Sequence, residues 1–405
     1  MPITRVFNKE QREAVSKMIN RLDSSFFFYD LDGLNHHLSD LSSIMTDDIK
    51  LWYACKANPL SAILKIFRNN GFGIDVASKG EIEQVLRSGI RPENILSTGP
   101  SKSRKYLREL LEENIQIVVC ESLNQVYWLN KIAGEMKMKP KVLLRVQMEW
   151  EEGTSVLGGN QITPFGEDAS TWLKLDHAQT ENLDIRGLHV FQWGNILDIK
   201  RLEKIWHKIA AQTHELAEKL GISTEILDLG GGIGIPYTDS EKDVNFKDIL
   251  DILHSVKAQY GWGKIWMELG RYAVGPYGHY MTQVIDRKNV RGKELLILDG
   301  GVNHIARPAL TGQPFPVNLF RESDAAPRDF QIHGPLCTAL DNLGTLQLPE
   351  DTEPGDWLCF HQSGAYGFTE GMPFFLCHNL PAEVIMYEGN VMIPRNPKKA
   401  EDWLC

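Results

Sequence analysis

The sequence is poor in the features that mark specialised protein classes. No apolar run approaches the ~18 residues that a membrane-spanning helix requires, and the first ten residues are mixed and charged, with no apolar signal core. Positive charge is in deficit: 43 Lys and Arg against 53 Asp and Glu give a formal net charge of −10. Nucleic acid and anionic membrane surfaces both need clustered positive charge, so neither is an expected partner. Cysteine is scarce and scattered. Cys55, Cys120, Cys337, Cys359, Cys377 and Cys405 form no CxxC pair, so their spacing gives neither a disulfide framework nor a zinc motif, and no metal is expected. As a set they are expected to be small buried hydrophobes in a reducing cytosol, with Cys337 the exception argued below. Repeats, low-complexity tracts and long charge blocks are absent as well. What remains is an ordinary globular composition, 42% hydrophobic and 24% charged. It excludes disordered and fibrous classes and predicts a soluble cytoplasmic protein. At 405 residues, two domains are a better expectation than one.

Short apolar runs alternate with longer amphipathic segments over the first two thirds of the chain. Strands are expected at 49–55, 73–77, 95–98, 115–120, 142–146, 185–191, 225–229 and 265–268, each closed by turn residues. The clearest helix is 199–220, where Leu202, Ile205, Ile209, Leu216 and Leu220 recur at helical spacing and Gly221 marks the stop. Eightfold strand–helix alternation predicts a (β/α)8 TIM barrel over 30–272. Beyond Arg271 the texture changes to short runs (280–285, 294–298, 357–360, 382–386) between Gly, Pro and Asp turns. That predicts an antiparallel β domain formed by 273–405, with residues 1–29 pairing into it through Phe26–Tyr29. The tail after Glu388 is expected to be poorly ordered or surface-bound. The Gly-rich stretch 151–166 is expected to be a mobile active-site loop.

In such a barrel the active site forms where the strands end. Here the strand ends carry Lys56, Asp75, Glu121, Arg145, His189, Phe191, the Gly230–Gly232 run, Glu268 and Arg271. Taken singly, each has an ordinary reading: a surface lysine, a tight turn, an exposed ion pair. Taken together they offer a lysine for a Schiff base, glycine N–H groups and a guanidinium for a phosphate, and a carboxylate for a heterocyclic nitrogen. Those are the demands of pyridoxal 5'-phosphate (PLP).

With these residues in place, the chain resembles the fold-type III PLP-dependent decarboxylases, the group of ornithine, diaminopimelate and arginine decarboxylases. The resemblance runs from about Phe27 to Glu383. It rests on Tyr53-Ala-Cys-Lys-Ala-Asn58, Asp75-Val-Ala-Ser78, Leu229-Gly-Gly-Gly232, Glu268-Leu-Gly-Arg271, Gly334-Pro-Leu-Cys337 and Ser363-Gly-Ala-Tyr-Gly367. It is nearest to the branch acting on modified or carrier-linked amino acids, which includes glutamyl-carrier-protein, siderophore-pathway and exosortase-associated decarboxylases. The resemblance implies α-decarboxylation of an amino acid by a homodimer with shared active sites. It implies Lys56 as the Schiff-base lysine and Asp75 as support for the cofactor region. Gly231, Gly232, Arg271 and Tyr366 would hold the phosphate, and Glu268 the pyridine nitrogen. Cys337, contributed by the other subunit, would return the proton at Cα.

Two departures from the family pattern bear on the substrate site. Relatives carry a histidine that stacks on the cofactor, and here Phe191 falls at that position, with His189 as its competitor. Diamino-acid decarboxylases place Asp or Glu directly after the cysteine to read a distal ammonium, and here that residue is Thr338. A distal cation without a partner is costly in a low-dielectric pocket, so the expected substrate has a capped, neutral or conjugated distal end, as in siderophore or other secondary-metabolite intermediates. Asp341 or Glu370 could still supply a substitute carboxylate and readmit diaminopimelate. His304, Arg307 and Pro314-Phe-Pro316 are expected to line the pocket or to serve the β domain structurally. Rival readings are an amino-acid racemase, disfavoured by Glu268 at the pyridine position, and a non-catalytic homologue, disfavoured by the retained Lys56, Arg271 and Cys337.

Overall fold

A computed structural model describes residues 7–150, 154–155, 158–159 and 162–404. The chain divides into two compact units: His37–Gly234 with Asp243–Gly270, and Met1–His36 with Ile235–Lys242 and Arg271–Cys405.

The first unit is a closed parallel barrel. Its eight strands are Ile49–Ala54, Gly73–Val76, Ile95–Ser97, Ile117–Cys120, Lys141–Arg145, Asp184–His189, Ile226–Asp228 and Lys264–Leu269. They pair in chain order, and the last closes on the first with Glu268 opposite Trp52. All eight expected strands are present within a few residues. The reason is physical: parallel strands are buried on both faces and read as continuous apolar runs. Trp52, Leu96, Val119, Leu143, Ile226 and Trp266 pack as one cluster. Gly73 is required there, since a Cβ would lie 2.2 Å from the Trp52 ring. The expected helix is Ile199–Leu220. Asp198 caps its first turn by accepting from the backbone N–H of Lys200 and Arg201, and Gly221 ends it in the left-handed region at φ +64°.

The second unit is a nine-stranded, mostly antiparallel sheet. Its central path runs Asn342–Pro349, Pro327–His333, Lys293–Leu298, Gly278–Val290, Phe26–Asp30, Ala382–Tyr387, Asn390–Arg395, and strands Val317–Leu319 and Trp357–Phe360 pair off it. Phe26–Asp30 lies in mid-sheet, antiparallel to Gly278–Val290 and parallel to Ala382–Tyr387. Helix Lys9–Leu22 lays Ala14, Val15 and Met18 over an apolar face that includes Phe26, Phe28, Met281 and Val384.

Two expectations change. The tail does not trail away: Asn390–Arg395 is a strand paired to Ala382–Tyr387, and Glu401–Leu404 forms a short helix. Its alternation of exposed and half-buried residues is that of an edge strand, a weak signal in a Pro-containing stretch. Second, Cys377 is exposed rather than buried, as is Cys337, whereas Cys55, Cys120 and Cys359 are buried; Cys405 lies outside the described residues. Of the expected loop at 151–166, residues 151–153, 156–157 and 160–161 also lie outside them. No helix among the described residues is long and apolar enough to cross a membrane.

Candidate active site

Parallel pairing in a closed barrel brings the strand ends to one rim. Asp228 stands beside His189 in the register of strands seven and six, and Glu268 is two residues beyond Trp266, which stands beside Asp228 from strand eight. The three side chains meet: the His189, Asp228 and Glu268 donor atoms lie within 4.8 Å of one another, all buried. His189 Nε2 is 3.0 Å from Glu268 Oε1. Asp228 Oδ1 accepts from the Gly230 backbone N–H, while Asp228 Oδ2 and His189 Nδ1 have no hydrogen-bond partner among the described residues. Lys56 sits in the single turn Cys55–Ala57 that ends strand one and is exposed. Asp75 is the next-to-last residue of strand two, buried, accepting from Thr98 Oγ1 at 2.7 Å.

The glycine run after strand seven is dictated by close packing. A Cβ on Gly231 would fall 2.2 Å from the Glu268 carbonyl oxygen, and one on Gly232 would fall 2.4 Å from the Trp193 carbonyl oxygen, at a φ of +107°. Phe191 lies against this loop, 39% exposed, whereas His189 is only 1% exposed beneath it. The residue at the expected stacking position is therefore exposed, and its competitor is tied to a carboxylate.

Asp75, Asp228 and Glu268 are buried here with few cations nearby, and the charge is divided unequally. Burial alone would raise Glu268, but the charge and hydrogen bond of His189, with Lys56 and Arg145 nearby, outweigh it and hold the carboxyl down at about 2. Burial and the Glu268 charge push Asp75 up to about 8 and Asp228 well above the carboxylate range. Glu268 therefore holds the negative charge, and its two neighbours stay protonated near neutrality.

Reasoning from sequence missed two further features of this rim. Arg145 and Glu121, seen only as separate strand-end residues, form a buried pair at 2.9 Å, with Glu121 also accepting from the Gly166 N–H. Lys102 is buried, its Nζ donating to the Gly99 carbonyl, and burial lowers it to about 8. A lysine a few residues past a strand end carries no periodic signal that it is buried.

In the sheet unit, Arg271 opens a one-turn helix directly after strand eight. Its Nη1 donates to the Tyr237 hydroxyl, and its guanidinium lies 4.9 Å from the centre of the Tyr366 ring. Tyr366 itself is held at φ +60°. Arg307 approaches the same ring at 5.8 Å and pairs with Glu370 at 3.4 Å, yet its Nε and Nη2 are buried without partners among the described residues. Burial, with Arg271 nearby, lowers the Arg307 guanidinium. His304 is buried with both ring nitrogens engaged: Nε2 donates to the Asn379 carbonyl, leaving Nδ1 to accept from the Tyr280 hydroxyl. Asp341 accepts from the Val302 and Leu336 N–H groups at 2.7 Å each. Cys337 is exposed and Thr338 half-buried.

Residues 31–275, more than half of the chain, match the family model described as "Pyridoxal-dependent decarboxylase, pyridoxal binding domain". The chain belongs to this family. Among its curated relatives is an L-glutamyl-[BtrI acyl-carrier protein] decarboxylase of Niallia circulans, 28% identical over 98% of this chain and 96% of that one. Another is the diaminopimelate decarboxylase of Aquifex aeolicus, 30% identical over 86% of this chain and 83% of that one. Among solved structures, a point mutant of diaminopimelate decarboxylase from Helicobacter pylori, complexed with L-lysine, superposes with a TM-score of 0.85, at 25% identity, covering 96% of this chain and 98% of that one. The decarboxylase is thus a PLP-dependent amino-acid lyase of fold type III. The residues present fit that cofactor. A lysine stands at the first strand end, a buried carboxylate keeps its charge, a glycine loop has no room for a Cβ, and unpartnered polar atoms of His189 and Asp228 are buried beside that carboxylate.

Proposed function

We propose that this decarboxylase removes the α-carboxylate of an amino acid whose distal end is capped, conjugated or carrier-linked and carries no free ammonium. The carrying observation is that neither spare carboxylate is available to a distal cation. Asp341 is occupied by two backbone N–H groups, Glu370 is paired with Arg307, and Thr338 brings no charge. A buried guanidinium with two unpartnered nitrogens calls instead for an anion or a carbonyl. The near full-length likeness to the carrier-protein decarboxylase supports this reading. The comparable likeness to diaminopimelate decarboxylases supports the alternative that a free diamino acid is the substrate.

PLP, when bound, supplies an electron sink for the pair released as CO2 leaves. In this proposal Lys56 would be the residue that holds the cofactor through its amine. Glu268, kept ionised by His189, would hold the protonated ring nitrogen. Gly231, Gly232, Arg271 and Tyr366 would hold the phosphate, Phe191 would offer its ring to the cofactor, and Asp75 would support that region. Cys337 of a partner copy delivers the proton to Cα, which makes a homodimer the working unit, and Arg307 and Thr338 face the distal group.

A decarboxylation screen by mass spectrometry tests the substrate class. Diaminopimelate, ornithine and arginine are compared with citryl-linked and carrier-linked amino acids. The conjugated substrates are expected to lead in kcat/KM by about 100-fold, equivalent to ~2.7 kcal/mol of transition-state discrimination. Equal or better turnover of free diaminopimelate refutes the capped-substrate reading.

A further inference from the structure

The sheet unit contains a second cluster of chemically capable side chains, none used in the decarboxylation scheme. Strands Gly278–Val290 and Trp357–Phe360 run antiparallel with Met281 opposite Cys359 and Tyr280 opposite Phe360. Side chains alternate between strand faces, so His279 and Met281 share the face of Cys359. His361, one residue past its strand, continues that face opposite His279. His279, Cys359 and His361 are each at most 3% exposed. Their donor atoms lie within 4.8 Å of one another. His279 Nδ1 is 2.9 Å from His361 Nδ1, and Cys359 Sγ is 3.8 Å from the same His361 atom. Phe7 lies against both rings, with centroids 4.7 and 6.0 Å away.

A hydrogen-bonded histidine pair is one use of this geometry, but it needs no thiol. Two imidazoles and a thiol at the edge of an apolar cluster (Phe26, Phe28, Met281, Val384) are an expensive way to fill a core. A second observation points outward from the pair. His361 Nε2 is hydrogen-bonded to Asn318 Oδ1. An amide oxygen only accepts, so Nε2 carries the proton and Nδ1 presents its lone pair toward His279 and Cys359. A polar group that fixes the tautomer of a ligating histidine is the usual outer support of a metal site. Ligands of a tetrahedral zinc, with bonds of about 2.0–2.3 Å, stand about 3.3–3.6 Å apart. The N–N and S–N separations here are within half an ångström of that.

We propose that His279, Cys359 and His361 bind one thiophilic d10 cation, Zn2+ or Cu+, as a structural site of the sheet unit. Two imidazole nitrogens and one thiolate are the donor set such ions select. The Cys359 thiol loses its proton to solvent on binding, and the His279 proton moves from Nδ1 to Nε2, so one proton is released and no electron is transferred. Burial of all three ligands means that the ion enters as the chain folds and exchanges slowly afterwards. Cysteine spacing hid this site because two of its three ligands are histidines and one of them lies 80 residues upstream of Cys359, on the neighbouring strand.

The test uses the cofactor-loaded enzyme, produced in medium supplemented with Zn2+ or, anaerobically, with Cu+. After dialysis against a weak chelator, metal and cofactor content are measured side by side. About one equivalent of one cation per chain is expected, and which cation is retained identifies it. In Cys359→Ser and in His361→Gln the content should fall at least tenfold while cofactor content and circular dichroism hold. Asn318→Leu keeps all three ligands and should weaken the metal about 10- to 100-fold. Less than a tenth of an equivalent of either cation in the wild-type enzyme overturns the proposal, as does wild-type content in the folded ligand variants. The wild-type measurement refutes by itself, so a ligand variant that fails to fold does not shelter the idea. The Asn318→Leu affinity then carries the positive arm, and an unchanged affinity there counts against the site.

Discussion

At the scale of single residues, the decisive contact is His189 with Glu268. A carboxyl held at about 2 in the folded chain, against an ordinary 4.5, contributes stability that is fully present above 4.5. That contribution is lost as the pH falls from 4.5 toward 2. His189→Leu leaves Glu268 buried with only Lys56 and Arg145 to oppose desolvation, so the carboxyl should rise. The acid limb of both stability and kcat/KM should move up by about one pH unit or more, and kcat should fall by roughly 10- to 100-fold as Glu268 loses its orientation. An unmoved acid limb would separate His189 from this role. Asp75 has the opposite sign. Its folded value of about 8 lies above the ordinary 3.8, so its contribution is present below pH 4 and is lost as the pH rises through 8. Asp75→Asn should therefore flatten the decline in stability between pH 4 and 8. Urea unfolding at pH 5 and pH 8 checks this, with a change of a few kcal/mol expected between the two pH values.

At the scale of elements, the strand-seven loop makes the sharpest prediction. Gly231→Ala places a methyl group 2.2 Å from the Glu268 carbonyl oxygen, which is backbone and cannot swing aside. The loop must move, at a cost of about 1–3 kcal/mol, and the cofactor dissociation constant should rise about tenfold or more, read from the visible absorbance of the bound cofactor. Gly221→Ala, at a helix end with nothing near its Cβ, should cost only the ~1 kcal/mol of a left-handed residue and leave cofactor binding alone. These elements also show what the sequence could convey. The barrel strands were legible because burial on both faces removes polar residues from them. Val317–Leu319, Pro327–His333, Asn342–Pro349 and Asn390–Arg395 were not: the first is only three residues long, and the others, the last two of them at the sheet edges, mix exposed polar residues and prolines into the pattern. The residue types of the candidate site were legible as strand-end motifs. The pairing of His189 with Glu268 was not, since it depends on the stagger of strands six to eight, which no local pattern encodes.

At the scale of the whole molecule, the question is whether one chain makes a complete site. Cys337, the proposed proton donor, is exposed, and the same unit exposes Leu310, Leu340, Phe374, Phe375 and Leu376. We propose that these apolar side chains belong to an interface between two copies of the chain. If a second copy covers them, the two chains of an isologous dimer exchange Cys337, and each site draws Lys56 from one chain and the thiol from the other. Complementation then follows from counting. Lys56→Ala and Cys337→Ala should each be impaired alone. Co-expressed in equal amounts, they form hybrids in about half of all dimers, each with one intact site of two, so activity should return to about a quarter of the wild-type level. Sites closed within one chain would give no recovery above the residual activities. Leu340→Asp with Phe374→Asp should shift the protein toward monomer in sedimentation velocity and reduce kcat in proportion to the dimer lost, with the visible absorbance retained in whatever remains dimeric. Full activity in a demonstrated monomer would return the proton-donor role to a residue of the same chain.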